Sequence, residues 1–353
     1  MSIILNLLLF IIILTVIISI HEFGHFIFAK MCGVYVYEFS IGMGPKLFGF
    51  KKGETEYSIR AIPIGGFCQL AGEDLETDED AKIPKNKRLQ NKNPFQKFLI
   101  MVFGPMNNFI LAVLILLFSA LIFGGMTMNP VISDIEEGSA AEKGGFQKGD
   151  TVLEINGHGI KTSDDVTLYL AIADPKVKNE FVIERNDGTK KTLKVQPEKI
   201  VDEEDEKNVS YKYGISLAQE KTKGIGKAFL YTYKKTVSIF KQMYVTVSQL
   251  FTGGISVTQL SGPVGIYSIV GESRTSGVAN ILYLVAFLSI NVGFINLLPI
   301  PAFDGGHILF AIIEMVMGKP VKPEIENRIH TVFLILLMIL MVFITFNDIL
   351  RLF

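Results

Sequence analysis

Residues 19–30 read SIHEFGHFIFAK and close an apolar run that begins at Ile3. A membrane-spanning α-helix needs about 20 predominantly apolar residues, so this run is long enough to cross a bilayer. At about 1.5 Å per residue, His21 lies about 27 Å along that helix, inside the membrane and toward the cytoplasmic side. Ionisable side chains at membrane depth are costly and mark function by default. The stretch therefore predicts a reactive site within a spanning helix.

The two histidines of this stretch can bind one metal ion. His21 and His25 are four residues apart, so both project from the same face of a helix. His-Glu-x-x-His on a helix is typical of zinc metalloproteases, in which the glutamate, here Glu22, is the general base. A chance match on an ordinary helix end accounts for the pattern poorly, because a membrane helix gains no stability from three ionisable groups.

A catalytic zinc site needs three protein ligands and one open position. The favoured third ligand is Asp304 in NLLPIPAFDGGH (residues 296–307), where Pro299 and Pro301 interrupt the third apolar run. Irregular backbone at membrane depth is tolerated where it lines a cavity. His307 remains an alternative ligand. Three residues are weaker candidates: His158 is expected in a solvated turn and His330 at a membrane interface. Glu314 is expected either in an ion pair or at the interface.

Composition places the chain among mixed membrane proteins. Its 353 residues are 49% hydrophobic and 20% charged, with a mean hydropathy of +0.38. A chain of this composition is more apolar than a typical soluble enzyme and carries more charge than a chain buried wholly in lipid. The net charge of -1 gives no reason to expect nucleic-acid binding. With only Cys32 and Cys68, a disulfide-stapled secreted domain is not expected.

Four apolar runs are long enough to span a membrane, at roughly residues 3–29, 98–123, 278–298 and 331–349. The first is too long for a cleaved signal peptide and lacks a basic segment before it. Lysine and arginine are concentrated between spans one and two and recur between spans three and four, which predicts that both segments are cytoplasmic. Both termini, and the long polar segment after the second span, are then predicted to be extracytoplasmic.

The remaining segments predict a β-hairpin, a small domain and an amphipathic helix. Two short β runs flank residues 51–54. Residues 138–160, GSAAEKGGFQKGDTVLEINGHGI, resemble the signature of PDZ domains, which bind extended peptides at a sheet edge; an unrelated α+β domain is the alternative. After them, apolar residues recur at helical steps interrupted by lysines, which favours a helix at the membrane interface over one packed on the domain. These apolar residues are Phe229, Tyr233, Val237, Phe240, Tyr244, Val247 and Phe251.

The predicted fold is a polytopic α-helical membrane protein with four transmembrane helices, a membrane-associated β-hairpin and an inserted α+β PDZ domain. The predicted division runs in chain order: 1–30, first span; 31–97, hairpin region and charged loop; 98–125, second span; 126–218, PDZ domain; 219–277, interfacial helix and linker; 278–310, third span with the proline-rich motif; 311–353, cytoplasmic loop and fourth span.

The chain resembles the site-2 protease family of intramembrane zinc metalloproteases, in particular the bacterial branch typified by the regulator of sigma-E protease. The resemblance rests on HEFGH, on NLLPIPAFDG with Phe303 at a position that is usually leucine, and on SIGMGPKL, GPMNNF and LSGPVGI. It implies that His21, His25 and Asp304 bind Zn²⁺ and that Glu22 is the base. It also implies that Asn296 contacts the substrate backbone or the developing oxyanion.

The resemblance further implies that the hairpin after residues 41–44 re-enters the membrane and holds the substrate as an added strand. The expected substrates are single-span membrane proteins, such as anti-sigma factors or remnant signal peptides, trimmed beforehand by a site-1 protease. The expected location is the lipid of a bacterial cell membrane. Some family members carry two tandem PDZ domains, whereas one signature is visible here, so a two-domain gating mechanism does not carry over.

Two other functions fit parts of the pattern. The first is a non-catalytic membrane scaffold with a PDZ domain and a structural metal or none; the intact Glu22 disfavours it, because a structural zinc does not need that carboxylate. The second is a zinc transporter, which would need polar ligands spread along several spans rather than concentrated at one depth.

Overall fold

The computed structural model describes residues 2–73, 80–201 and 209–351, so residues 74–79 of the predicted charged loop lie outside the described residues. The helices in the described ranges are α1 (Ser2–Met31), α2 (Pro94–Phe123), α3 (Ala140–Lys143), α4 (Ser163–Ile172), α5 (Ile225–Thr252), α6 (Pro263–Thr275), α7 (Val278–Leu297), α8 (Asp304–Met317) and α9 (Pro323–Leu350).

The strands in those ranges are β1 (Val36–Lys52), β2 (Thr55–Leu70), β3 (Gly125–Met126), β4 (Ile132–Ile135), β5 (Thr151–Ile155), β6 (His158–Gly159), β7 (Asn179–Glu184), β8 (Lys190–Val195), β9 (Glu198–Val201), β10 (Val209–Lys212), β11 (Ile215–Leu217) and β12 (Lys221–Thr222).

Four helices, α1, α2, α7 and α9, are long and apolar enough to cross a membrane, as the four apolar runs predict. Two of them begin earlier than the apolar pattern indicates. Helices α2 and α9 begin at Pro94 and Pro323 and carry a polar first turn. Proline fits the first turn of a helix, and polar residues there are not marked by hydropathy. The fold is therefore that of a multi-pass helical membrane protein with additional β-structure.

The chain divides into two compact units, Met1–Leu116 with Ser256–Phe353, and Leu117–Ile255. In the first unit, α1, α6 and α7 share an apolar core that includes Ile17, Val270 and Leu288. Helix α6 occupies part of the segment predicted as a linker. The helix is too short and too mixed in composition to be recognised as a span from the sequence. In the structure it packs against α1 and α7 and buries Val270.

Strands β1 and β2 form a bent hairpin in the first unit. Residues 38–41 pair with residues 66–69 on one side and with residues 56–59 on the other. Since residues 46–52 pair in turn with residues 55–60, four antiparallel segments lie side by side. Strand β1 begins at Val36, well before the β runs that flank residues 51–54. The sequence pattern misses this part of the strand because its inward-facing positions include polar Glu38 and Ser40.

A charged pair compensates for this polarity inside the hairpin. Arg60 Nη2 lies 2.8 Å from both carboxylate oxygens of Glu38, and its Nε lies 3.0 Å from Oε1. Ser58 donates a further hydrogen bond to the same carboxylate. The inward-facing carboxylate of Glu38 thus finds its hydrogen-bond partners within the hairpin itself.

The second unit contains a small α+β core. Its largest sheet is antiparallel, in the order β6-β5-β7-β8, while β4 pairs with β11. A capping box between Thr162 and Asp165 starts α4. Phe181 and Tyr213 are among the buried residues of its core. This architecture agrees with the small α+β domain expected from the sequence, and its assignment as a PDZ domain remains a prediction.

Helix α5 contacts this core through its polar side. Lys235 Nζ lies 2.8 Å from Asp164 Oδ2, and Lys241 Nζ lies 2.8 Å from Asp165 Oδ1. The predicted apolar stripe does not form that contact: Tyr233, Tyr244 and Phe251 are 68 to 78% exposed. The packing alternative for the stripe therefore loses support, and the interfacial position remains a prediction.

Candidate metal centre

Three ionisable side chains from α1 and α8 converge in the first unit. His21 Nε2 lies 2.9 Å and His25 Nε2 lies 3.4 Å from Asp304 Oδ2. The two Nε2 atoms are 3.2 Å apart. Within the described residues, these three side chains make up the one cluster of His, Cys, Asp or Glu with spacing suited to a metal ion. The structure thus brings together the three predicted ligands.

The donor set fits a zinc ion. In a tetrahedral site with bonds of about 2.0–2.1 Å, neighbouring ligand atoms are about 3.3 Å apart, close to the three distances above. His25 Nδ1 lies 2.9 Å from the carbonyl oxygen of Ile100. A carbonyl only accepts, so His25 Nδ1 carries the proton and a neutral ring presents a lone pair on Nε2. That lone pair faces a carboxylate oxygen, and a cation between them removes the repulsion.

The local sequence explains how Asp304 reaches this position. Helix α7 ends at Leu297, and Asp304 is the first residue of α8, where a carboxylate also interacts favourably with the helix dipole. The predicted third span, residues 278–310, is therefore two helices joined by the proline-rich turn. Gly305 and Gly306 are required in this turn, because a Cβ on either would overlap the backbone of residues 297–301.

A second pair of glycines brings α1 and α2 into contact behind the histidines. A Cβ at Gly24 would overlap the carbonyl group of Phe103, and a Cβ at Gly104 would overlap the imidazole of His25. The helices can approach this closely only because both positions lack a side chain. Neither glycine is marked by the sequence pattern as part of the site, although Gly104 begins the quoted GPMNNF segment.

Glu22 and Asn296 line one cavity with two of the predicted ligands, His21 and Asp304. The cavity has a volume of about 320 Å³, and its walls include His21, Glu22, Asn296 and Asp304. Glu22 Oε2 accepts a hydrogen bond of 3.0 Å from the backbone N–H of Cys68 on β2. The strand therefore fixes the orientation of the predicted base, a contact that no spacing rule in the sequence could reveal.

The alternative ligands have other surroundings. His307 Nδ1 lies 2.9 Å from Glu326 Oε1; with His330 it lines the same cavity, but neither belongs to the converging cluster. Glu314 is buried, and its Oε2 accepts a bond of 2.8 Å from Lys97 Nζ, so it forms the ion pair expected from the sequence. His158 is exposed on β6 and stacks on a tyrosine ring.

Asparagine 108 is a further polar residue beside the cluster that sequence reasoning missed. Asn108 is completely buried, and its Nδ2 lies 3.4 Å from His21 Nδ1. Its backbone carbonyl accepts a hydrogen bond of 2.8 Å from Ser289 Oγ on α7. Helix α2 thus contacts both histidines, through the Ile100 carbonyl and the Asn108 side chain.

Comparison with known proteins places the chain in a family. Residues 9–340 match Peptidase family M50. A Clostridium perfringens protein named as a zinc metalloprotease is 37% identical, over 94% of this chain and 95% of the relative. The regulator of sigma-W protease RasP of Bacillus subtilis is 32% identical, over 98% of each chain. The zinc metalloprotease RasP of Oceanobacillus iheyensis is 32% identical, also over 98% of each. The chain therefore belongs to peptidase family M50, the site-2 protease family.

Proposed function

We propose that this peptidase cleaves single-span membrane proteins inside the membrane, with His21, His25 and Asp304 holding its zinc and Glu22 acting as the base. The observation that carries the proposal is the convergence of the three ligand atoms, two of whose residues line one cavity with Glu22. Two of the ligands and Glu22 belong to a helix long and apolar enough to span a membrane.

Glu22 and Asn296 have different roles in the proposed hydrolysis. Zinc, when bound, supplies a Lewis acid and makes water a nucleophile at neutral pH. Glu22 takes a proton from the attacking water and later delivers it to the leaving amine, while the Cys68 N–H holds the carboxylate in place. Asn296, which lines the same cavity, donates its side-chain N–H₂ to the substrate carbonyl or backbone.

The hairpin supplies the place where a substrate helix can be held unwound. A helical peptide bond is shielded by its own hydrogen bonds, so the substrate must open before its carbonyl can be attacked. Residues 66–70 pair with the rest of the hairpin on one side, so their other side is an edge of the sheet. Because the Cys68 N–H on this edge reaches Glu22, a segment added there is held next to the base.

The expected substrates are single-span proteins with a short outer portion. Anti-sigma factors fit this description, and the name of the Bacillus subtilis relative points to sigma-factor regulation in that organism. We propose that a site-1 protease trims the substrate first, and that the second unit, as an extracytoplasmic PDZ domain, restricts access to untrimmed proteins. The non-catalytic scaffold has no observation in its favour, since the intact base lies beside the ligands.

The test compares purified wild type with Glu22→Gln in detergent on a single-span peptide substrate. The substitution keeps nearly the same volume but removes the proton acceptor, so zinc content should stay at one per chain. Turnover should fall by about 10²- to 10⁴-fold. Glu272→Gln, which alters an exposed carboxylate on α6, is the matched control and should behave as wild type.

A chelator serves as the second arm of this experiment and should abolish wild-type turnover. If Glu22→Gln cleaved at the wild-type rate while the chelator stopped the reaction, the base would be misassigned. If neither change mattered, the proposed centre would be wrong.

A further inference from the structure

The Asn108 side chain has an arrangement that its protein neighbours alone do not account for. Its Nδ2 faces His21 Nδ1 at 3.4 Å, while its Oδ1 is buried without a hydrogen-bond partner among the described residues. A buried acceptor left unpaired destabilises a folded protein, because it loses its hydrogen bond to water and gains none in return. Ser289 holds the backbone of Asn108 against α7, so the residue cannot relieve this by moving away.

Metal binding at His21 Nε2 changes the hydrogen-bond partner that Nδ1 of the same ring requires. When Nε2 gives its lone pair to a metal, Nδ1 carries the ring proton and becomes a donor. The group facing Nδ1 must then be an acceptor. Rotating the Asn108 amide by about 180° exchanges Nδ2 and Oδ1 in nearly the same space. That rotation gives Nδ1–H an acceptor and gives Oδ1 a donor.

We infer that Asn108 is the positioning residue for His21: its side-chain oxygen accepts the hydrogen bond from Nδ1–H and fixes the ring with Nε2 toward the metal. The inference rests on the proposed function, since it takes His21 as a zinc ligand. Ile100 does the same for His25 through its backbone oxygen. Ile100, Gly104 and Asn108 are four residues apart on α2, so one helix face orients both ligands and makes room between them.

The experiment measures zinc affinity rather than activity. Full-length protein is purified in detergent, stripped of metal and titrated with zinc against a chromogenic chelator. Asn108→Leu keeps the volume but offers no acceptor, and it should weaken zinc binding about 10- to 100-fold. Asn108→Asp offers only acceptors and should bind zinc within about threefold of wild type or more tightly. Asn108→Ser is too short to reach the ring and should resemble the leucine variant.

Asn107 supplies a matched control. It is the neighbouring residue, it is half-buried, and its Nδ2 lies 3.3 Å from the carbonyl oxygen of Ile20 rather than near a ligand. Asn107→Leu should keep wild-type zinc affinity. The absorption bands of the Co²⁺-substituted protein report ligand geometry directly, and they should shift in Asn108→Leu but not in Asn107→Leu.

Two results would overturn the inference. The first is wild-type zinc affinity in Asn108→Leu, or in Asn108→Ser if the leucine variant does not fold. The second is an Asn108→Asp protein that is folded yet binds zinc as weakly as Asn108→Leu, since an acceptor would then have no value. Failure of the proposed centre gives a different result, because zinc content would then survive His21→Ala and Asp304→Ala.

Discussion

Asp304 is the proposed ligand on which the assembly of the centre would depend, because α1 supplies the two histidines but no third ligand. Its Oδ2 approaches both imidazoles, and its place at the start of α8 follows from the two glycines after it. His307, three residues further along α8, lines the same cavity but pairs with Glu326. The structure therefore separates two residues that the sequence left as rivals.

This separation makes a prediction at the residue scale. Asp304→Ala removes one of three ligands and should leave well under half a zinc ion per chain after dialysis. His307→Ala removes a cavity residue without touching the ligand set and should keep about one zinc ion per chain. Metal analysis of both purified proteins checks this. Equal zinc content in the two variants would contradict the assignment of Asp304.

The sequence predicts the proposed ligands but not the residues that support them, because only the ligands follow from a local pattern. His21, Glu22 and His25 belong to one helical turn, so their spacing alone predicts a shared face. Asp304 is detectable because a carboxylate in a broken span is costly unless it binds a cation or lines a cavity. Asn108 and Cys68 act across distances set by the packing of α1 against α2 and β2, and no local pattern encodes which of their neighbours they face.

Among the elements outside α1 and α8, the hairpin directly contacts the proposed base. Its outer segment carries the Cys68 N–H, which donates a hydrogen bond to the Glu22 carboxylate. The periodicity of the apolar residues predicts the spanning helices well because each is long. It predicts the hairpin but misses the first part of β1 and all of α6, since their positions depend on pairing and packing with distant segments rather than on their own hydropathy.

Gly66 provides a test at the element scale. A Cβ there would approach within 2.5 Å of the carbonyl oxygen of Ser40, so Gly66→Ala should push the outer segment away from its neighbour. The base should then be misplaced, and a misplacement of about 1 Å costs on the order of 10²-fold in rate. Zinc content should not change, because the ligands lie on other elements.

Gly226→Ala is the matched control, since open space surrounds that position at the start of α5. Initial rates on one single-span substrate, measured with zinc content in the same samples, separate the outcomes. Full activity in Gly66→Ala would remove the hairpin edge from the mechanism.

At the scale of the whole molecule, the α+β core of the second unit is an insertion with adjacent ends. Met126 on β3 pairs with Lys221 on β12, and the Thr127 N–H donates to the carbonyl of Glu220 at 2.8 Å. This core can therefore be excised at 127–220, which leaves α5 in place. An excision that stopped at Val195 would remove β4 but leave its partner β11 and the core residue Tyr213 behind.

Replacing residues 127–220 with a linker of about four residues should leave catalysis of a short, pre-trimmed substrate intact, because strand partners lie about 5 Å apart. Discrimination against a full-length substrate should relax. The ratio of the two cleavage rates, compared with wild type, measures this. Loss of all cleavage in a folded, zinc-loaded deletion protein would mean that the unit takes part in the reaction.

The orientation in the membrane is a separate prediction. Lys85 should face the cytoplasm, and the second unit, including Asn156, should face outside. Asn156 is hydrogen-bonded to Asn179 and Glu180, so the exposed Lys148 is the better position for labelling. An impermeant thiol reagent on intact cells should label Lys148→Cys and not Lys85→Cys, in a background of Cys32→Ser and Cys68→Ala. The opposite pattern would invert the topology.

The origin of the ligands at opposite ends of the chain has a consequence for biosynthesis. A ribosome adds about 5–20 residues per second, so α1 is made on the order of tens of seconds before Asp304 exists. Throughout that interval the nascent protein holds the two proposed histidine ligands and the proposed base but lacks the proposed third ligand. On this assignment we expect it to be inactive while it shares the insertion machinery with other newly made spans, and to become a hydrolase only when its own insertion is nearly finished.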